Sequence, residues 1–242
     1  MKAHIDRYIG YFHTELENVA QYNNRLHRKI LYVTLLDTLA RVVYSPSQYS
    51  NTHRFIEFVR NFSDWKDKDR VSLMQLKLEL DKHMESAAKV KSRLYNCIQQ
   101  RIDKRIAGTT YYASDDEVFD LLNELALDQP DELKAIKHTR YVELLYTYRN
   151  RLIHEYKEPG HALELQEDAE ECAFNHSGYY SKLKENDDNW ELCFPVALFD
   201  KLCRGCLDNL RECLYGHQLD PYSRYDFGDN WYEAKTVKKG NS

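Results

Sequence analysis

The chain has 242 residues, is 43% hydrophobic and contains only 8 Gly and 5 Pro, which excludes a disordered chain or a turn-rich all-β protein and fits one large helical domain. A formal charge of −5 excludes a general basic coat for nucleic acid, though not a local basic site. No apolar run reaches the roughly 18 residues of a membrane span, and Met1–Arg7 lacks the apolar core of a signal peptide. A cytoplasmic protein without membrane contact is expected.

In chain order, Ile5, Tyr8, Ile9, Phe12, Leu16 and Val19 form a helical stripe between His4 and Tyr22. Asn23-Asn24 interrupts it. A second helix from about Arg25 to Tyr44 carries Ile30, Leu31, Leu35, Leu39 and Val43, and Ser45-Pro46-Ser47 ends it. Asn51 or Thr52 is positioned to cap a third helix that runs to Phe62. Asp64 to Arg70 reads as a charged loop, and a helical region follows from Ser72 to Ile106, broken near Asp81–Ser86 and closed by Gly108-Thr109-Thr110. Asp115-Asp116-Glu117 places negative charge at the start of a short helix, where the helix dipole favours it. Pro130-Asp131-Glu132 does the same for a helix continuing to Glu155.

Beyond Pro159-Gly160, Tyr179–Leu183 and Trp190–Phe194 flank the polar turn Lys184–Asn189, a β-hairpin pattern over about 179–194. The last helix covers Pro195 to Tyr215. Residues 220–242 read as an extended, partly disordered tail, so 1–219 is taken as one domain. The chain is thus expected to be mainly all-α: a helical bundle with a small hairpin insertion.

Two basic clusters, Arg25-Leu26-His27-Arg28-Lys29 and Lys89 to Arg105, read as solvated helix faces. His83 and His138 stand apart, as ordinary helix histidines. The six cysteines (Cys97, Cys172, Cys193, Cys203, Cys206, Cys213) fit reduced thiols. Cys203-Arg204-Gly205-Cys206 has redox or zinc spacing, but it lies within the pattern Leu202, Leu207, Leu210, Leu214 and lacks a second pair, so helix packing is expected and no metal.

Most of the chemistry lies in Arg149-Asn150-Arg151-Leu152-Ile153-His154-Glu155-Tyr156. An Arg, an Asn and a His at a helix end supply a fixed charge, a neutral hydrogen-bonding arm and an imidazole. At about 100° per residue, Tyr141, Leu144, Leu145, Tyr148 and Leu152 form the core stripe, and Glu143, Thr147, Asn150 and His154 share the opposite face. Arg149 and His154 lie about 140° apart on an ideal helix, so a second helix packed across the row would have to converge them. A charged row that merely solvates the helix is the ordinary alternative.

R-N-x-x-x-H at the end of a long helix resembles the signature of the HEPN superfamily, small α-helical domains of which many are metal-independent ribonucleases of toxin and defence systems. Arg149, Asn150 and His154 match it position by position, and Tyr156 matches the extended R-x4-H-x-Y form. The resemblance implies a HEPN-like bundle, a homodimer with a shared groove, an RNA substrate and no cofactor or metal. His154 is then general base, Arg149 phosphate stabiliser and Asn150 an orienting group; Glu143, Arg151 and Tyr156 are accessory candidates. It also implies an antitoxin or regulatory partner, since in one branch the Tyr is modified with AMP. The alternative is a non-catalytic HEPN-like module that binds nucleotides or proteins.

Overall fold

The computed structural model describes residues 1–106, 109–126, 129–159, 173–176 and 190–223. Helices dominate the described residues, with five short strands, as the periodicity predicts. α1 (Lys2–Ala20) buries the predicted stripe from Ile5 to Val19. At the Asn23-Asn24 break, the Asn24 side chain accepts from His27 N at 3.0 Å and satisfies one of the donors a helix start leaves over.

α2 (Arg25–Val43) departs from expectation. It buries Lys29, Tyr32, Val33, Leu36, Leu39, Ala40 and Val42, while Ile30, Leu31, Leu35 and Val43 are only partly covered. The reason is its central position. It packs against α1, α3 (Asn51–Phe62), α9 (Tyr141–Glu155) and α10 (Val196–His217). A helix contacted on several sides has no single stripe. These five helices enclose the main core. Cys203 and Cys206 of α10 are fully buried in it, Cys203 donating to the Tyr32 carbonyl at 3.3 Å. Burial pushes both thiols well up, so they pack rather than react.

Between α3 and α9 the chain builds a second, smaller core from Val71, Leu73, Leu76, Leu80, Leu94, Ile98, Leu122 and Ile136. It lies among α4 (Leu73–His83), α6 (Arg93–Ile102), α7 (Phe119–Ala126) and α8 (Pro130–His138). The predicted region 72–106 breaks twice, around α5 (Ser86–Lys91), with Ser72 and Ser92 capping α4 and α6.

Two expectations change here. The acidic triplet does not open a helix. Glu117 starts the strand β3 (Glu117–Val118), paired antiparallel with β1 (Arg70–Val71), and Asp116 is buried. It accepts from Tyr141 Oη at 2.6 Å and pairs with Arg105. Secondly, the helix expected from Pro130 to Glu155 is two helices. Arg140 takes extended backbone (φ −65°, ψ 146°) to bridge Val71, while Ser72 N donates to Thr139 O at 2.9 Å. The break belongs to the joint between the two cores.

β5 (Trp190–Cys193) occupies the second half of the predicted hairpin and pairs antiparallel with β4 (Ala173–His176); Tyr179–Leu183, the other half of that expectation, lies outside the described residues. β4 also pairs with β2 (Thr110–Tyr112), giving the order β2-β4-β5. At the other end, Asp220–Ser223 form a turn docked on α1: Asp220 accepts from His4 Nδ1 at 3.2 Å and Tyr222 meets the Tyr8 ring edge-on at 5.7 Å. The rest of the tail lies outside the described residues.

Candidate functional site

The motif occupies the last two turns of α9. Tyr141, Leu145, Tyr148 and Leu152 anchor the helix in the core, which fixes where every other side chain points. Arg149 is half-buried and faces α2. Its Nε donates to Asp37 Oδ2 at 2.8 Å, Nη2 donates to the same oxygen, and Nη1 donates to Asn150 Oδ1 at 2.9 Å. The Tyr146 ring lies 5.8 Å from the guanidinium carbon. Burial raises the pKa of Asp37, although the hydrogen bonds and charge of Arg149, with the charges of Arg41 and Arg54, act against it. Arg149 is therefore held in one orientation, as the charge of a phosphate clamp must be.

His154 stands elsewhere. It is exposed and, among the described residues, its side chain forms no hydrogen bond or ion pair. Asn150 is half-buried and linked to Arg149. One chain thus joins Arg149 to Asn150 but leaves His154 on the outward row, as the helical angles predict. Of the accessory candidates, Glu143 accepts from Arg140 at 2.8 Å and sits three turns from His154, about 16 Å along the axis. Arg151 faces a cleft of about 300 Å³ lined also by Leu144, Thr147, Tyr148, Trp190 and Leu192, so β5 forms a wall beside the motif helix.

Tyr156 ends α9 in the left-handed region (φ 53°, ψ 36°), a conformation that strains a residue with a Cβ. Its hydroxyl is hydrogen-bonded to His27 Nε2. The turn it creates leads into Glu158, which is buried. Glu158 accepts from Lys29 Nζ at 2.6 Å, Tyr148 Oη at 2.7 Å and Arg25 Nε at 3.2 Å. Burial works to raise the Glu158 pKa, but the charge of Lys29 and these bonds outweigh it and hold the carboxyl below its usual value.

The first basic cluster is thus not simply a solvated face, because Lys29 has no exposed surface. A clue existed in the sequence: Lys29 precedes Tyr32, Val33 and Leu36 at helical spacing, on the same face. Nothing local marks Asp37, Arg41 or Arg54 as neighbours of Arg149. Among the described residues no group of three or more His, Cys, Asp or Glu side chains gathers as metal ligands, and no helix is long and apolar enough to cross a membrane. Comparison with protein-family models, with curated proteins and with solved structures finds no match to this chain.

Proposed function

We propose that the chain is a metal-independent endoribonuclease of HEPN type, acting in the cytoplasm as a homodimer in a toxin-like or defence system. The observation that carries the proposal is the division of labour along α9. Arg149 is fixed by Asp37 and joined to Asn150, while His154 is exposed on the outward row. A second copy facing that row would bring its own Arg149 and Asn150 to the first copy's His154.

The chemistry needs no other group. His154 takes the proton from a ribose 2′-hydroxyl, an exchange suited to an imidazole near neutrality. The 2′-oxygen attacks phosphorus as the bond to the 5′-oxygen breaks; the departing oxygen takes a proton from water, and His154 returns to solvent the proton it removed. Arg149 stabilises the charge on the phosphoryl oxygens. The products carry a 2′,3′-cyclic phosphate and a 5′-hydroxyl, and DNA, lacking the 2′-hydroxyl, is inert. Tyr156, 59% exposed, is open to a silencing antitoxin or regulatory protein.

A non-catalytic binding module is favoured by one observation: two donors of Arg149 converge on one Asp37 oxygen, as in an ordinary structural ion pair. Incubation with a single-stranded RNA ladder in EDTA, beside an Arg149→Ala/His154→Ala variant, separates the two. Cleavage by the wild type alone, leaving 2′,3′-cyclic ends, is expected. Equal inertness at a concentration where the wild type is dimeric supports the module instead.

A further inference from the structure

Charge does not balance around Asp37. Arg149 bonds it directly, and the charges of Arg41 and Arg54 also act on it, so three guanidiniums share one carboxylate. Arg41, one turn beyond Asp37 on α2, is exposed and forms no ion pair among the described residues. Arg54 is only 7% exposed, yet its hydrogen bonds end on neutral oxygens: Nη1 on Tyr49 O at 2.8 Å and Nη2 on Asn51 Oδ1. Burial, then the neighbouring Arg41, disfavours its charged form. A nearly buried cation that bonds no carboxylate directly and shares a distant one with two other arginines is undercompensated, and an incoming anion would relieve it.

Next to these arginines lies an aromatic platform two rings deep. Tyr49 and His53, both exposed, stack with ring centroids 4.9 Å apart and planes 9° from parallel. Tyr44 braces both edge-on, at 5.7 and 6.3 Å. Tyr49 is tied to the cationic cluster through its own carbonyl, which accepts from Arg54. Cations beside exposed ring faces are what a single strand engages, phosphates on the former and bases on the latter. A duplex hides its base faces, and an acidic peptide has no use for the platform.

We propose that the corner between α2 and α3 is a single-stranded RNA anchoring subsite, with Arg41 contacting phosphate, Arg54 supplying a fixed field beneath it, and Tyr49 and His53 stacking bases. The choice of RNA over other single strands rests on the ribonuclease proposal. Since Arg149 belongs to the same cluster, a strand held here is led along the motif helix.

The test is fluorescence anisotropy with a fluorescein-labelled single-stranded RNA, using His154→Ala protein to prevent cleavage. Adding Arg41→Glu is expected to weaken binding about ten-fold or more and to lower the slope against log salt by about 0.7, the effect of one phosphate contact. Tyr49→Ala is expected to weaken binding about five-fold or more. Arg41 is exposed and without an ion pair among the described residues, so the fold should survive the change, with only the small drop in melting temperature that a like-charge neighbour one turn from Asp37 brings. Unchanged affinity in Arg41→Glu overturns the subsite, as does cleavage by an otherwise wild-type Arg41→Glu protein with unaltered KM, which leaves the ribonuclease intact. Arg41-dependent binding without cleavage by the wild type upholds the subsite and removes the ribonuclease. Arg41-dependent binding of poly-L-glutamate, with none of RNA, overturns the RNA assignment in favour of an acidic protein partner.

Discussion

Lys29 holds a positive charge with no exposed surface, and Glu158 is its direct counter-charge. A buried pair of this kind contributes little net stability, but removing Lys29 leaves the buried Glu158 charge held by Arg25 and Tyr148 alone. Lys29→Met is therefore expected to destabilise by about 3–5 kcal/mol, and Lys29→Met/Glu158→Gln by clearly less, read by urea denaturation. A single variant no worse than the double would show that Glu158 finds other solvation. The pH dependence has a definite sign. The folded-state pKa of Glu158 is depressed, so its contribution is present above the unfolded value of about 4.3 and is lost as pH falls through the lower folded value. The stability gap between wild type and Glu158→Gln should be wide at about pH 7 and narrow below about pH 4.

At the scale of elements, what could be read depended on how many sides each helix buries. α1 buries its predicted stripe because neighbours cover one face of it; α2, surrounded by four helices, does not. The break between α8 and α9 has no Gly or Pro to announce it. It comes from the Val71–Arg140 bridge, a pairing across sequence that periodicity cannot encode. Arg149, Asn150 and His154 were legible because one helix holds all three. Asp37 lies 112 residues from Arg149, so their convergence is a product of folding alone. Caps show the same limit on a finer scale. The cap of α3 is Ser50, whose hydroxyl accepts from His53 N at 3.2 Å, one residue before the expected Asn51 or Thr52. Ser50→Ala is expected to cost about 1 kcal/mol, and Thr52→Ala, exposed and uncapping nothing, close to zero. Equal losses in thermal or urea unfolding would return the cap to Thr52.

For the molecule as a whole, the question is whether one copy can be sufficient. The two cores set α9 rigidly: its apolar stripe is sunk in the larger one, and its first turn is tied to the smaller through Tyr141 and Asp116. α9 is not free to roll until Arg149 and His154 meet, and roughly 140° separates them. If the proposed chemistry occurs, each site takes its Arg from one copy and its His from the other. A two-fold dimer built this way has a testable arithmetic. Arg149→Ala and His154→Ala homodimers are both dead. In a mixed dimer, one site has lost both groups and the other has kept both. Random re-pairing of equal amounts makes half the dimers mixed, each with one working site, so about a quarter of wild-type cleavage should return. The measurement is RNA cleavage after co-refolding or co-expression of the two inactive variants, against each variant alone. No recovery, with mixed dimers verified by mass, would require both groups to act from a single chain. That would demand an unwinding of the last turn of α9, the one that leads into the left-handed Tyr156, opposed by the buried anchor at Glu158.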